Sequence, residues 1–262
     1  MAELWGFDTD TIYPFTLAFA RVLSIVLLAP VLGSRSVPWA ARLGLALFLA
    51  LALAPLAPAG ARPALPGLLG LGLDLAHEVF VGIVMGLVAT LVFAAVQFAG
   101  NLVGLQIGFG IVNVIDPQSE TQVSLLSQFQ DLLAVVIFLT VDGHHLILRA
   151  LTRSLTLVPL GWGGTPSALW ELFVRKSGDI FVNGIMLAAP ALVCLFATTA
   201  ALGFVARAVP QINVFIVGFP LQIGVGLLVV SLSLPLFHFV LRRLFVGLDG
   251  DLAAVVRLLA RS

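Results

Sequence analysis

The sequence predicts an all-α chain of about six long, kinked hydrophobic helices, with a Gly-rich loop between the third and the fourth. Three observations lead to that class. Hydrophobic residues fill 60% of the 262 positions and charged residues 10%, against about 45–50% and 25% in soluble proteins, which excludes a soluble globular domain. The apolar residues gather in runs close to the roughly 20 residues that cross a bilayer as a helix. Those runs are punctuated by prolines and glycines, which fix or free φ and so mark breaks.

Thirteen basic and thirteen acidic residues cancel, leaving no basic field for nucleic acid and no acidic tail for a basic partner. The single cysteine, Cys194, lies within an apolar run. It has no intrachain partner for a disulfide and reads as a packing residue. Glu3, Asp8 and Asp10 precede the first basic residue, Arg21, so no positively charged leader of the secretory kind is expected.

The first stretch runs from Thr11 to Leu32, with Pro14 near its start and Arg21 inside it. A polar break with Arg35, Pro38 and Arg42 follows, then a second stretch over 43–59. The Pro- and Gly-dense segment 55–72 reads as a loop, because proline also disfavours helix in the residue before it. A third stretch, 68–105, exceeds the ~30 Å bilayer core at about 1.5 Å per residue. Asp74, His77 and Glu78 lie on its first turns, where carboxylates suit the positive end of the helix dipole. The fourth is apolar over 132–140, is broken at Asp142-Gly143, and resumes over 144–160. Segment 161–178 reads as a connector, 180–206 as a span with Pro190, 207–220 as an irregular link, and 221–241 as the last span with Pro235. The tail 242–262 mixes Arg with apolar residues, as an interfacial or partner-bound helix does.

Six simple crossings conflict with the charges. Arg35 and Arg42 place the first loop in the cytoplasm and the Arg-rich tail belongs there too, yet the parity of six does not satisfy both. An unusual insertion is the expectation.

No enzyme signature appears: there is no Gly-x-Ser-x-Gly, Walker loop or dinucleotide fingerprint, and no cofactor is called for. His77-Glu78 lacks the second zincin histidine, since position 81 is Val81. His144 and His145, adjacent on a helix, point about 100° apart with no further ligand at the usual spacing, so no metal site is expected. Arg21, placed mid-run at about 2.5–3.5 kcal/mol on insertion scales, reads foremost as a buried charge pair, with Asp74 or Glu78 available.

The segment 100–130 is the informative one. Gly100 and Gly104, like Gly82 and Gly86 upstream, recur at spacing four and give a helix a bare packing face. After Gly108 the pattern turns to Phe109, Gly110, Ile111, Val112, Asn113, Val114 and Ile115, glycines and β-branched residues that disfavour helix. Asp116-Pro117 then reads as a new helix start, with Ser119 and Gln122 as an alternative capping box. An apolar non-helical loop at membrane depth must be buried in protein or face an aqueous cavity. Facing a pore, it is a natural gate.

Here the chain resembles the FliR family of the type III secretion export gate. The resemblance lies in Gly104-Leu-Gln-Ile-Gly-Phe-Gly, Ile115-Asp116-Pro117, Asp142-Gly143-His144 and Val158-Pro159-Leu160-Gly161. Leu187-Ala-Ala-Pro190 and Pro210-Gln-Ile-Asn213 add a second likeness, to the two-helix protein FliQ. The resemblance implies a FliP-like part over 1–178 fused to a FliQ-like hairpin with an amphipathic tail over 179–262. It implies helices packed into a multi-subunit gate in the bacterial inner membrane at the flagellar basal body, with FliP and FliQ as partners, FlhB at the cytoplasmic side and unfolded flagellar substrates as cargo. It places the plug at Gly108 to Asp116, with Phe109, Ile111, Val112, Val114 and Ile115 as apolar filling and Pro117 just beyond. Two other readings of the residues stay open. One is a small-solute secondary transporter, suggested by Arg21, Asp74, Glu78 and the Pro-kinked spans; the other is a purely structural assembly nucleator, suggested by the packing glycines.

Overall fold

Seven α-helices and one 3-10 turn make up the regular structure of the computed structural model, which describes residues 9–34, 36–57, 67–109, 124–161, 164, 166–211 and 213–260. They are α1 (Thr9–Leu28), α2 (Trp39–Leu53) with the 3-10 turn Ala54–Leu56, α3 (Leu68–Ile107), α4 (Leu125–Thr140), α5 (Gly143–Leu157), α6 (Ser167–Ala208) and α7 (Val214–Leu259). No strand occurs among the described residues.

Apart from α7, which begins at Val214 inside the link expected over 207–220, two boundaries differ from the sequence expectation for a physical reason. The segment 167–178 is helical, part of α6, although it carries Glu171, Arg175 and Lys176. One of these charges finds a partner there: Lys176 Nζ lies 2.7 Å from Asp251 Oδ2, and both side chains are largely shielded. The tail is likewise no separate helix. It continues α7 without a break past Pro220 and Pro235, and Phe245, Leu248, Leu252, Val255 and Leu259 form one buried stripe at helical spacing.

Of the six apolar stretches, four become helices long and apolar enough to cross a membrane: Trp39–Leu56, Leu68–Ile107, Ser167–Ala208 and Ile216–Leu259. The apolar part of α1, Ile12–Leu28, is shorter, and α4 with α5 makes a broken pair. Four crossings after the Arg35 loop return the tail to the side of that loop. The parity conflict therefore vanishes when the broken pair does not cross.

The chain divides into two compact units. The first comprises Met1–Leu91, Asp142–Lys176 and Phe245–Ser262. In it α1 packs on α2, and α5 meets α1 and the 3-10 turn. Here α1 also approaches α3 so closely that a Cβ on Gly82 would fall 2.5 Å from the Ser24 Cβ and 2.7 Å from the Arg21 carbonyl oxygen, and one on Gly86 2.6 Å from the Leu28 Cβ.

The second unit comprises Val92–Val141 and Ser177–Leu244. Here a Cβ on Gly100 would fall 2.5 Å from the Ser127 Cα, and one on Gly104 would collide with the Ser124 hydroxyl. Aromatic edges fill the remaining space. Phe93 meets Phe138 at a centroid distance of 5.6 Å, and Phe98 meets Phe181 at 5.3 Å, both edge-on.

The glycines are therefore not equivalent. Gly44, inside α2, has nothing within 4 Å of an added Cβ. Gly44→Ala should raise stability by about 0.4–1 kcal/mol through the unfolded chain, whereas Gly82→Ala should lower it by about 1–3 kcal/mol through overpacking. Thermal unfolding in detergent reads both signs, and equal effects would refute the close packing of α1 on α3.

Candidate functional site

Two constellations hold the residues to which the sequence drew attention, one in each unit. In the first unit, α1 supplies Tyr13 and Arg21, while α3 supplies Asp74, His77 and Glu78. Arg21, Asp74 and Glu78 are fully buried and His77 nearly so. Asp74 and Glu78 stand four apart and so share one face of α3. The Tyr13 hydroxyl donates to Asp74.

Arg21 uses its whole donor set. Nε donates to Glu78 Oε2 at 2.5 Å and one terminal nitrogen to Glu78 Oε1 at 3.0 Å, a bidentate pair. The same nitrogen reaches the Pro159 carbonyl at 3.3 Å, and the other reaches the carbonyls of Ser154 and Val158 at 2.8 and 3.2 Å. These carbonyls lie where α5 ends at Leu157, where the last backbone acceptors have no helical partner and the dipole is negative. Pro159 has no N–H with which to continue the ladder. Gly161, at a φ of 111° that favours glycine, turns its N–H back to Glu78 Oε1 at 3.0 Å. Arg21 is thus ion-pair partner to α3 and cap to α5 at once. The sequence offered Asp74 or Glu78 as its partner and gave no sign of the three carbonyls.

In the second unit the positions around the Gly-rich segment are held at both ends. At the end of α3 the Gly108 N–H donates to the Leu105 carbonyl at 3.1 Å, and the Phe109 N–H to the Gly104 carbonyl at 3.0 Å. With Gly108 at a φ of 104°, this is a Schellman motif, which stops a helix by satisfying its last carbonyls. A side chain at 108 would cost about 1–2 kcal/mol in the left-handed region. At the other end, Ser124 caps α4 by accepting the Leu126 N–H at 3.3 Å. The two ends meet, since the Ser124 hydroxyl occupies the space that a side chain at Gly104 would need.

A hollow of about 370 Å³ opens beside this base, lined by Phe109, Leu125, Leu126 and Phe129 and by Leu227, Val230, Ser231 and Leu234 of α7. Of the expected plug residues, Gly108 and Phe109 are described. Gly110, Ile111, Val112, Val114, Ile115, Asp116 and Pro117 lie outside the described residues, as do the helix starts expected at Asp116 and Ser119.

A third cluster arises from a backbone feature that the sequence did not disclose. Asp142 takes the left-handed conformation, at a φ of 55°, and its carboxylate lies near both following imidazoles, with one ligand atom from each of Asp142, His144 and His145 within 4.8 Å of the others.

Long apolar helices, a buried ion pair among them and helix ends capped on either side of a Gly-rich segment define a membrane-type helical protein. The chain belongs to the bacterial export proteins, family 1, which it matches over residues 12–248. It is 33% identical to flagellar biosynthetic protein FliR of Pectobacterium carotovorum subsp. carotovorum over 93% of each chain. It is 34% identical to FliR of Escherichia coli K12 over 90% of each, and 34% identical to FliR of Bacillus subtilis 168 over 90% of this chain and 92% of that one.

Arg21→Ala leaves Glu78 buried without its cation and should destabilise the chain by about 3–5 kcal/mol. Arg21→Lys, which lacks the five-donor fork, should recover only part of that. Unfolding of the detergent-solubilised chain gives both numbers. A cost below about 1 kcal/mol for Arg21→Ala, the range of exposed pairs, would contradict the buried clamp.

Proposed function

We infer that this chain is a non-enzymatic subunit of the flagellar type III protein export gate, forming part of the channel for unfolded flagellar substrates and supplying a loop that closes it. The observation that carries the reading is the match to FliR relatives over about nine-tenths of both chains. Several helices of membrane-crossing length support a place in the bacterial inner membrane at the flagellar basal body. The partners of the gate are then FliP and FliQ, with FlhB at the cytoplasmic side. The FliP-like part is 1–178 and the FliQ-like part 179–262.

The closing loop is the segment from Gly108 to Asp116. What supports it is the form of its base: a Schellman motif on one side, a capped helix on the other, and an apolar hollow alongside. Hydrophobic constrictions close pores by excluding water as well as by bulk. A cysteine at Ile111 should crosslink to a stalled export substrate in assembled gates. Crosslinks to lipid alone would overturn the gate assignment.

The glycine contacts at Gly82, Gly86, Gly100 and Gly104 favour a second reading, in which the subunit organises its partners without sealing anything. Deleting Val112 to Val114 separates the two. A sealing loop predicts ion leakage across membranes containing the assembled gate, and a pure organiser predicts unchanged permeability. The small-solute transporter is the weaker reading, since among the described residues the one broken pair, Leu125–Thr140 with Gly143–Leu157, has no counterpart of the kind that matching halves provide.

A further inference from the structure

We propose that Asp142, His144 and His145 form a binding site for one borderline divalent metal ion of the Zn²⁺ type. On a regular helix two adjacent histidines diverge by about 100°, which is why the sequence argued against such a site. The structure changes the premise, because Asp142 is not helical. Its left-handed φ of 55° turns the carboxylate over the first turn of α5. There it makes no capping bond to the backbone N–H groups and its Oδ1 lies 3.4 Å from His145 Nδ1. The two imidazole centroids are 4.2 Å apart. One donor atom from each of the three side chains thus falls within 4.8 Å of the others. Ligands about 2.0–2.1 Å from a tetrahedral ion stand roughly 3.4 Å apart, so small side-chain rotations close the set.

A second observation points to a ligand independently of the spacing. His144 Nδ1 is buried with no hydrogen-bond partner, and a polar atom in that condition costs about 1–3 kcal/mol. Coordination satisfies such a nitrogen. Two imidazoles and one carboxylate suit Zn²⁺, Ni²⁺ or Cu²⁺ and not Mg²⁺ or Ca²⁺, which take oxygen ligands.

Two effects oppose a cation here, and both are small. The positive end of α5 disfavours it by about 0.3–1 kcal/mol, and Arg149 stands one turn on. Arg149, however, is exposed and its Nε points to the His145 carbonyl at 3.4 Å, so solvent screens its charge. Beside the ligands a hollow of about 350 Å³, lined by Asp142, His145, Leu148, Arg149 and Thr152, leaves room for water to complete the coordination. Binding there locks the left-handed turn at the break between α4 and α5, a consequence separate from any closing of the channel.

The test is a Zn²⁺ titration of the full chain in detergent, purified without a polyhistidine tag, against a chromogenic chelator. One saturable equivalent is expected, weakened about tenfold or more in His145→Ala and in Asp142→Ala, since loss of even outer-shell support costs 10–100-fold. His238→Ala should leave it unchanged, because His238 is an exposed histidine of α7 far along the chain. X-ray absorption at the zinc edge should show two imidazole nitrogens at about 2.0–2.1 Å. Absence of saturable binding, binding undiminished in His145→Ala, or equal loss in His238→Ala overturns the proposal. His145 is 59% exposed in its side chain, so its substitution does not threaten the fold.

Discussion

The Arg21–Glu78 pair is the constraint on which the first unit depends. A guanidinium with five donors is buried within an apolar run of α1, and every donor is matched: two to a carboxylate and three to carbonyls at the end of α5. Removing either ion leaves the other buried and unmatched, and the desolvation of one lone ion exceeds what any single apolar contact in the unit contributes. The pair also decides geometry. It fixes the height of α1 against α3, the point at which α5 stops, and the turn through Pro159 to Gly161.

That geometry explains the small residues around it. Bringing the α1 backbone within reach of Glu78 requires α3 to come close to α1. The side chain that would stand in the way is absent at Gly82, next to the carbonyl of Arg21 itself. Tyr13 and Asp74 extend the polar seam one layer further along the same two helices. A charged side chain in an apolar run is thus the centre of a three-element junction, and the surrounding glycines follow from it.

Most of the fold was legible in the residues because its helices are long apolar runs bounded by prolines, glycines and charges. The ends of α3 and α6 and the break at Asp142 fall within a few residues of the expected places or extend them. What the sequence concealed depends on pairing through space. The segment 167–178 read as a connector because of its turn-rich start and its charges, and what steadies its helix lies far along the chain: Asp251, 75 positions on, pairs with Lys176, while Leu169 and Leu172 are buried. The tail read as an interfacial or partner-bound helix because Arg alternates there with apolar residues, while its apolar stripe is covered within the chain itself. The carbonyls around Arg21 left no trace in the sequence, since any residue supplies a carbonyl. The left-handed Asp142 was likewise hidden, because spacing rules assume a regular helix through it.

The meeting of Gly104 with Ser124 has a bearing on evolution of the segment between them. Two anchors that touch each other define a loop whose ends are fixed whatever its length. Lengthening a flexible loop between such anchors costs only the entropy of closure, about 0.6 kcal/mol for each doubling. The contact between Gly104 and Ser124 therefore does not depend on how many residues lie between them.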